Sequence, residues 1–292
     1  MDVYLIDGTY ELFRHFFALP PFKDSRGREV AAVKGVLNSV MSMIADGKTH
    51  IGVATDHVVE SFRNELYANY KTSEGVPLEL LSQFPILEEA LEGMGVLVWP
   101  MTQYEADDAL ASAAGRAAED VRVGQVFICT PDKDLGQCVK GQRIVQLDRR
   151  LGIVRDETGV IEKFGVSPQS IVDYLALVGD TADGFPGIPG WGAKSAAALL
   201  SRYAHLEGIP RDWIRWEVSV RGPQRLAESL FSAWDDALLF RILATLKTDV
   251  PVFQSIDELQ WKGPRPIFGQ IAEAFRADDL LQTASKLALL RS

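Results

Sequence analysis

The segment Val3-Tyr4-Leu5-Ile6-Asp7-Gly8 decides the fold, because it is a short, apolar, β-rich run that ends in an acidic turn. Similar runs cover residues 51–54, 96–98 and 125–129. The second run leads into Thr55-Asp56, and the fourth leads into Thr130-Pro131-Asp132. The sequence therefore predicts four strands, three of which end close to an aspartate.

Helical patterns fill the intervals between these strands, at residues 33–44, 78–91 and 105–118. Alternation of strands and helices is typical of a parallel sheet with helices on both faces. Such sheets bind ligands outside the carboxyl ends of their strands, where the aspartates are expected to lie. Residues 1–165 are therefore predicted to form an α/β, Rossmann-like domain with a mostly parallel sheet flanked by helices.

The sequence pattern changes after residue 165. Ser167-Pro168 has the form of a helix N-cap followed by proline, and it opens a predicted helix over residues 169–178. A turn rich in glycine and proline covers residues 184–192, and an alanine-rich helix follows over residues 193–203. Beyond it only residues 250–253 have a strand-like pattern. We therefore expect residues 166–292 to form a second, mostly helical part.

Composition limits the class of protein. The chain has 292 residues, 47% of them hydrophobic, which is enough for one large core with a helical addition. It has no run of about 18 apolar residues and no signal-peptide pattern, so we expect a cytoplasmic protein without a membrane segment. Cys129 and Cys138 have apolar neighbours, which fits free thiols in a reducing compartment. The net charge of −10 argues against a nucleic-acid binder, unless many acids are gathered to bind cations.

The sequence does contain such a gathering of acids. They follow strands or open helical segments, and they are Asp7, Asp56, Glu105, Asp107, Asp108, Asp132, Asp134, Asp180 and Asp183.

Local spacing favours convergence within each group of acids. Asp132 and Asp134 are two residues apart, so an extended segment would point both side chains the same way. Asp180 and Asp183 are three apart and would share one face of a helical turn, as would Glu105 and Asp108. Asp107 joins them only if Glu105 lies at or before the start of its helix. The acids at 105–108 are also explained by complementing the positive end of a helix dipole.

Packed carboxylates repel one another, and divalent cations remove that penalty. Oxygen ligands without His or Cys suit Mg²⁺ or Mn²⁺ and disfavour Zn²⁺. Two such ions about 4 Å apart form the two-metal arrangement for phosphodiester hydrolysis. The sequence shows no nucleophile motif and no Walker loop, and the four histidines form no spaced pair.

The motifs together resemble the 5′-nuclease family, which has a PIN-like core. Its members include the 5′–3′ exonuclease domain of bacterial DNA polymerase I, phage 5′ nucleases and flap endonucleases. The resemblance covers nearly the whole chain and rests on the following segments: Leu5-Ile6-Asp7-Gly8 with Arg14, Tyr104-Glu105-Ala106-Asp107-Asp108, Asp132-Lys133-Asp134-Leu135, and residues 179–187.

The resemblance implies two metal groups. One would lie around the acids from Asp7 to Asp108, and the other around those from Asp132 to Asp183.

The resemblance also implies that the glycine turn near residues 184–203 is a helix–three-turn–helix that binds duplex DNA and holds a monovalent ion such as K⁺. The residues it assigns to DNA and ion binding are Gly187, Ile188, Gly190, Trp191, Gly192 and Lys194. Arg14 and Lys71 would hold the scissile phosphate.

Two features depart from the family pattern. The family commonly has Lys-x-x-Arg at the base of its helical arch, near residues 70–85, whereas this chain has Lys71-Thr72-Ser73-Glu74. The chain has Trp191 where the family usually has Ile or Val, and this side chain could pack inside or wedge near DNA. The altered arch puts clamping of a single-stranded flap in doubt.

These observations favour a monomeric, Mg²⁺-dependent 5′–3′ exonuclease or flap endonuclease of DNA replication and repair. Its substrate would be a DNA duplex with a 5′ end or flap. One alternative is a protein that binds branched DNA without cutting it, which the altered arch would favour. The other is a PIN-type ribonuclease, although those proteins usually lack the long helical second part.

Overall fold

The computed structural model describes residues 1–291. The chain divides into two compact units. Unit 1 comprises Met1–Val59, Ser73–Thr130 and Thr248–Ser292, and unit 2 comprises Glu60–Thr72 and Pro131–Lys247. The boundary between residues 165 and 166 that the sequence suggested stays a prediction. Within residues 1–291, no helix has the length and apolar character needed to cross a membrane.

Unit 1 is built on four parallel strands in the spatial order β3-β2-β1-β4. They are β1 (Asp2–Asp7), β2 (His50–Asp56), β3 (Leu97–Met101) and β4 (Gln125–Cys129). Every residue of β2 is buried, as expected for a strand covered on both faces. All four strands predicted from the sequence are present, and the α/β class with a mostly parallel sheet is confirmed.

Helices cover both faces of this sheet. The helices of unit 1 are α1 (Gly8–Ala18), α2 (Ala31–Ala45), α4 (Leu78–Leu81), α5 (Gln83–Gly93), α6 (Ala106–Glu119), α12 (Phe268–Phe275) and α13 (Asp278–Arg291). Successive residues of a strand point to opposite faces. At the end of β2, the Thr55 hydroxyl donates to Glu88 of α5, whereas Asp56 accepts from the Ala106 amide of α6. Helices α5 and α6 therefore lie on opposite sides of the sheet.

Unit 2 is mostly helical. It contains α3 (Arg63–Leu66), an antiparallel pair β5 (Ile144–Asp148) and β6 (Ile153–Arg155), and then α7 (Glu157–Phe164), α8 (Ile171–Val178), α9 (Ala193–Tyr203), α10 (Pro223–Ser232) and α11 (Trp234–Ala244). Its core includes Leu175, Phe185, Leu199 and Leu230, all of which are fully buried. The predicted helices on both sides of the glycine turn are confirmed.

Several elements were absent from the sequence prediction. Helix α1, the β5–β6 pair and α7 were not predicted, and residues 250–253 are not a strand. The helix predicted over 78–91 is divided into α4 and α5 at Ser82.

Arg63 caps the C-terminal end of α11 within unit 2. It is 1% exposed, its Nε donates to the Leu243 carbonyl at 2.8 Å, and its Nη2 donates to the Thr245 carbonyl at 3.0 Å. The last carbonyls of a helix lack partners within the helix. The guanidinium therefore supplies donors to both carbonyls, and its bond to the Leu243 carbonyl is buried.

We predict that Arg63→Met destabilises the protein by about 2–4 kcal/mol, because it leaves buried carbonyls without donors. Chemical denaturation followed by circular dichroism measures this change. Arg225→Met is the matched control, since Arg225 is an exposed residue of α10 in the same unit. Equal unfolding midpoints for the two variants would show that the Arg63 contacts contribute nothing to stability.

Candidate metal centre

Three carboxylates of unit 2 converge. Asp134, Asp180 and Asp183 each offer an oxygen atom, and these atoms lie within 4.8 Å of one another. Asp134 opens a short 3-10 turn, Asp134–Cys138, that follows Pro131-Asp132-Lys133. The other two belong to a tight turn in which the backbones of Asp180 and Phe185 hydrogen-bond each other in both directions. The predicted grouping of these three acids is thus present in the structure.

The reason for this convergence differs from the one the sequence suggested. Asp180 and Asp183 lie in a turn and not in a helix. The segment at Asp132 is not extended, because the Asp132 carboxylate accepts the Asp134 amide at 2.9 Å. Asp132 is exposed and lies outside the set of three.

Asp134 is buried among like charges in this cluster. Burial raises the pKa of its carboxyl well above the usual range, and the charges of Asp132, Asp183 and Asp180 raise it further. Within residues 1–291, no group hydrogen-bonds its buried Oδ1. A buried carboxylate oxygen without a donor fits a site for a cation.

Two lysines partly offset this negative charge. Lys133 Nζ lies 2.8 Å from Asp180 Oδ2, and Lys71 Nζ lies 3.8 Å from Asp183 Oδ1. Burial lowers the pKa of Lys133, but the hydrogen bond to Asp180 and the nearby aspartates outweigh it and leave that pKa raised. The charged ammonium is therefore favoured beside the carboxylates.

Gly184 allows Lys71 to approach the turn. Its φ is +84°, and a Cβ at this position would lie 2.2 Å from the Asn69 carbonyl oxygen. With no side chain there, the Lys71 amide donates to the Asp183 carbonyl at 3.0 Å. The predicted phosphate-binding Lys71 is thus held at the second acidic group.

In unit 1, Asp7 and Asp56 lie at the carboxyl ends of neighbouring strands, as predicted. Asp7 pairs in register with Ala54, two residues before Asp56. The Asp7 side chain caps α1 by accepting the Tyr10 amide at 2.8 Å, and it also accepts the Thr130 hydroxyl at 2.9 Å. Both aspartates are buried.

The acids at 105–108 are arranged by the start of α6. Glu105 is the N-cap and has an extended backbone, which meets the condition under which Asp107 could join the group. Glu105 and Asp108 form a capping box, in which the Glu105 amide donates to Asp108 Oδ2 at 3.1 Å. Asp108 is fully buried and Asp107 is half-buried. Glu105 and Asp108 therefore cap α6 by hydrogen bonds, whereas the sequence suggested only complementation of the helix dipole.

Arg14 lies on α1 and is anchored from one side. Its Nη2 donates to Glu11 and lies 3.0 Å from His15 Nε2. Its Nε is buried and has no hydrogen-bond partner among residues 1–291. Arg14 thus keeps an unused donor, as a phosphate-binding role would require.

The glycine turn of unit 2 is closely packed at its base. Gly187 has a φ of +70°, and a Cβ there would lie 2.3 Å from the Gly179 amide nitrogen. The buried Ile188 donates its amide to the Leu177 carbonyl at 2.9 Å. Trp191 is buried, and its Nε1 donates to the Leu226 carbonyl at 3.1 Å. Of the two possibilities left open by the sequence, Trp191 packs inside.

The tip of the same turn is open. Nothing lies within 4 Å of a Cβ built at Gly190 or Gly192, so another molecule could approach the backbone there. A groove of about 560 Å³ beside it is lined by Gly190, Lys194, Ser195 and Arg221, among others. Lys194 is exposed at the start of α9, where helix amides favour anions.

Several side chains that contact the candidate residues were not singled out from the sequence, and three of them lie beside candidate acids. They are Lys133, which pairs with Asp180, Thr130, which donates to Asp7, and Thr9, whose hydroxyl accepts the Asp56 amide. Lys133 could have been found from its position between two aspartates. The other two contacts depend on strand register, which the sequence does not give.

Comparison with known proteins identifies the family. A family model described as 5′-3′ exonuclease, N-terminal resolvase-like domain, matches residues 2–165, and one described as 5′-3′ exonuclease, C-terminal SAM fold, matches residues 166–266. The chain belongs to the 5′-3′ exonuclease family. This confirms the resemblance found in the sequence motifs.

Relatives of the chain include a 5′-3′ exonuclease of Aquifex aeolicus, which is 34% identical over 90% of this chain and 87% of its own length. DNA polymerase I of Pseudomonas aeruginosa is 35% identical over 97% of this chain. The chain spans about a third of the length of that polymerase, 32%.

A solved structure has the same fold at low sequence identity. A flap endonuclease of bacteriophage T5, in a pseudo-enzyme-product complex with DNA and metal ions, superposes with a TM-score of 0.61. It is 17% identical and covers 99% of this chain and 100% of its own. The fold predicted from the sequence is therefore confirmed.

We predict that Asp134→Asn stabilises this 5′-3′ exonuclease family member in metal-free buffer, raising its melting temperature by about 2–4 °C at neutral pH. Because the folded-state pKa of Asp134 is the higher one, the folded protein binds this proton more tightly than the unfolded chain does. Wild-type stability should therefore fall as the pH rises from about 3.9, the unfolded value, through the raised folded value.

Thermal melts of both proteins in EDTA between pH 4 and 8 test this prediction. Asp236→Asn is the control, since Asp236 is an exposed residue of α11. If Asp134→Asn melts at or below the wild-type temperature at pH 7, Asp134 is not under the electrostatic strain described.

Proposed function

We propose that this chain is a structure-selective 5′ nuclease that hydrolyses DNA phosphodiesters at 5′ ends and flaps with divalent ions. The observation that carries the proposal is the buried cluster of Asp134, Asp180 and Asp183 in a member of the 5′-3′ exonuclease family. The relatives named above are a 5′-3′ exonuclease and a DNA polymerase I.

The donor set fits hard divalent cations. It consists of carboxylates, with no His or Cys in the group found among residues 1–291, so Mg²⁺ or Mn²⁺ is favoured over Zn²⁺. In unit 2 the proposed ligands are Asp132, Asp134, Asp180 and Asp183. In unit 1 they are Asp7, Asp56, Glu105, Asp107 and Asp108. Two divalent ions would supply a water of lowered pKa and stabilise the leaving oxygen.

The remaining residues hold the substrate. Arg14 keeps a buried donor without a partner among residues 1–291, and Lys71 is fixed beside Asp183, so both are proposed to contact the scissile phosphate. The open tip of the glycine turn, with Gly190, Gly192 and Lys194, is proposed to contact backbone phosphate of the duplex. A K⁺ ion at this turn stays a prediction.

Recognition would follow DNA shape and phosphate and not base sequence. The T5 flap endonuclease with the same fold was crystallised with DNA and metal ions, which supports this choice of substrate. We place the protein in the cytoplasm, acting on primers or flaps. The segment after Lys71 contains only the single turn α4 before α5, so a long clamping arch is not part of the proposal.

Cleavage of a 5′-labelled flap duplex tests the proposed function. We expect the wild type to cleave at the junction in Mg²⁺ and not in EDTA. The cleavage rate of Asp134→Ala should be lower by about 10³-fold or more, equal to about 4 kcal/mol of the activation barrier. Asp236→Ala, which removes an exposed carboxylate from the same unit, should cut at the wild-type rate.

Two results would contradict the proposal. If the wild type binds the flap duplex and cuts nothing in Mg²⁺ or Mn²⁺, the protein is a branched-DNA-binding protein. If it cuts the matched RNA and spares the DNA, it is a ribonuclease of the PIN type.

A further inference from the structure

Unit 2 carries a pair of cations outside the residues assigned above. Arg155 ends β6, and Lys163 lies in the last turn of α7. The two side chains are close enough for the charge of Arg155 to lower the pKa of Lys163. Burial lowers the pKa of Lys163, and Arg155 lowers it further, while Asp132 and Asp148 raise it. The net direction is downward, with burial as the largest cause.

Arg155 is held in place but is not paired. A Cβ at Gly159 would lie 3.2 Å from Arg155 Cβ, which shows that the Arg155 stem packs closely against α7. Its Nη1 is buried, and no group within residues 1–291 accepts a hydrogen bond from it. A buried guanidinium nitrogen without an acceptor costs free energy unless a ligand supplies one.

The strand neighbour of Arg155 does not supply that acceptor. Gln146 faces Arg155 in the antiparallel register of β5 and β6 and is fully buried. Its Nε2 donates to the Asp132 carbonyl, and its Oε1 has no donor among residues 1–291. Gln146 therefore ties the β5–β6 pair to the loop that carries Asp132 and does not pair with Arg155.

Lys163 adds a mobile charge next to this fixed one. The residue is exposed, and its Nζ lies 4.7 Å from the centroid of the Phe164 ring. No carboxylate lies within ion-pair distance of Nζ in the described chain. An ammonium on a flexible stem can move to an anion that the fixed guanidinium also contacts.

We propose that Arg155 and Lys163 form a phosphate site that holds one backbone phosphate of the nucleic acid, next to the acidic cluster. The fixed guanidinium donates in a defined direction, and the ammonium neutralises charge, which together suit a phosphodiester. This site rests on the proposed nuclease function and adds a contact on the Asp132 side of the cluster. It also explains how a chain of net charge −10 presents positive charge to DNA near its acids.

The test is the salt dependence of binding to a 5′-flap duplex, measured by fluorescence anisotropy in EDTA between 50 and 200 mM KCl, conditions that prevent metal-dependent cleavage. Loss of one phosphate contact reduces the slope of log K against log salt by about 0.9. We expect the double variant Arg155→Gln, Lys163→Gln to show this reduction in slope. Its affinity for the duplex should be about fivefold to tenfold lower at 100 mM KCl.

Two controls separate a lost phosphate contact from a general effect. Lys286→Gln removes one exposed cation from α13 and should keep the wild-type slope. The double variant Arg155→Lys, Lys163→Arg keeps both charges and should keep most of the slope. Melting temperatures establish that each variant is folded.

A wild-type slope in the folded double Gln variant would overturn the proposal. A second measurement follows the broadening of the ³¹P line of inorganic phosphate by the protein. If the double Gln variant loses this broadening but keeps the wild-type DNA slope, the pair binds free phosphate and not the DNA backbone, and the proposal is also wrong. Cleavage in Mg²⁺ is scored separately. Failure of the wild type to cut would reject the proposed function, whereas the binding slopes would still decide the phosphate site.

Discussion

The carboxylates of Asp134, Asp180 and Asp183 lie within 4.8 Å of one another, although like charges at this separation repel. Burial of Asp134 removes the water that would otherwise screen the repulsion. Specific contacts hold the carboxylates together despite this repulsion. They are the reciprocal backbone hydrogen bonds between Asp180 and Phe185, the ion pair of Lys133 with Asp180, and the approach of Lys71 past Gly184. A divalent cation bound between these carboxylates would neutralise their repulsion, so the same arrangement would serve as its binding site.

The sequence predicted the elements that depend on local periodicity. All four parallel strands and the helices on both sides of the glycine turn are present, because their apolar patterns and end signals are local. Helix α1 was missed, since its start is fixed by the Asp7 side chain, which also ends a strand. The β5–β6 pair was missed because its second strand has only three residues. Asp134, Asp180 and Asp183 do come together, but Asp180 and Asp183 meet through a turn and not a helix.

The features that the sequence left open are those set by residues far apart in the chain. Trp191 could have faced inward or outward, and its partner, the Leu226 carbonyl, lies 35 residues away. The phosphate-binding interpretation of Lys71 gained support only from its contact with Asp183, more than a hundred residues later. Arg155 and Lys163 are eight residues apart in the sequence, yet the missing acceptor of Arg155 Nη1 is visible only in the folded chain.

Binding of Mn²⁺ to the DNA-free protein tests most directly whether the acidic cluster is a cation site. Electron paramagnetic resonance counts the ions removed from free solution as Mn²⁺ is added. We expect the wild type and Asp236→Asn to bind at least one Mn²⁺ per chain, and Asp134→Asn to bind it at least about tenfold more weakly, a difference of about 1.4 kcal/mol. Equal binding by the wild type and Asp134→Asn would contradict the assignment of Asp134 as a ligand. Absence of binding by the wild type at millimolar Mn²⁺ would contradict the metal centre itself.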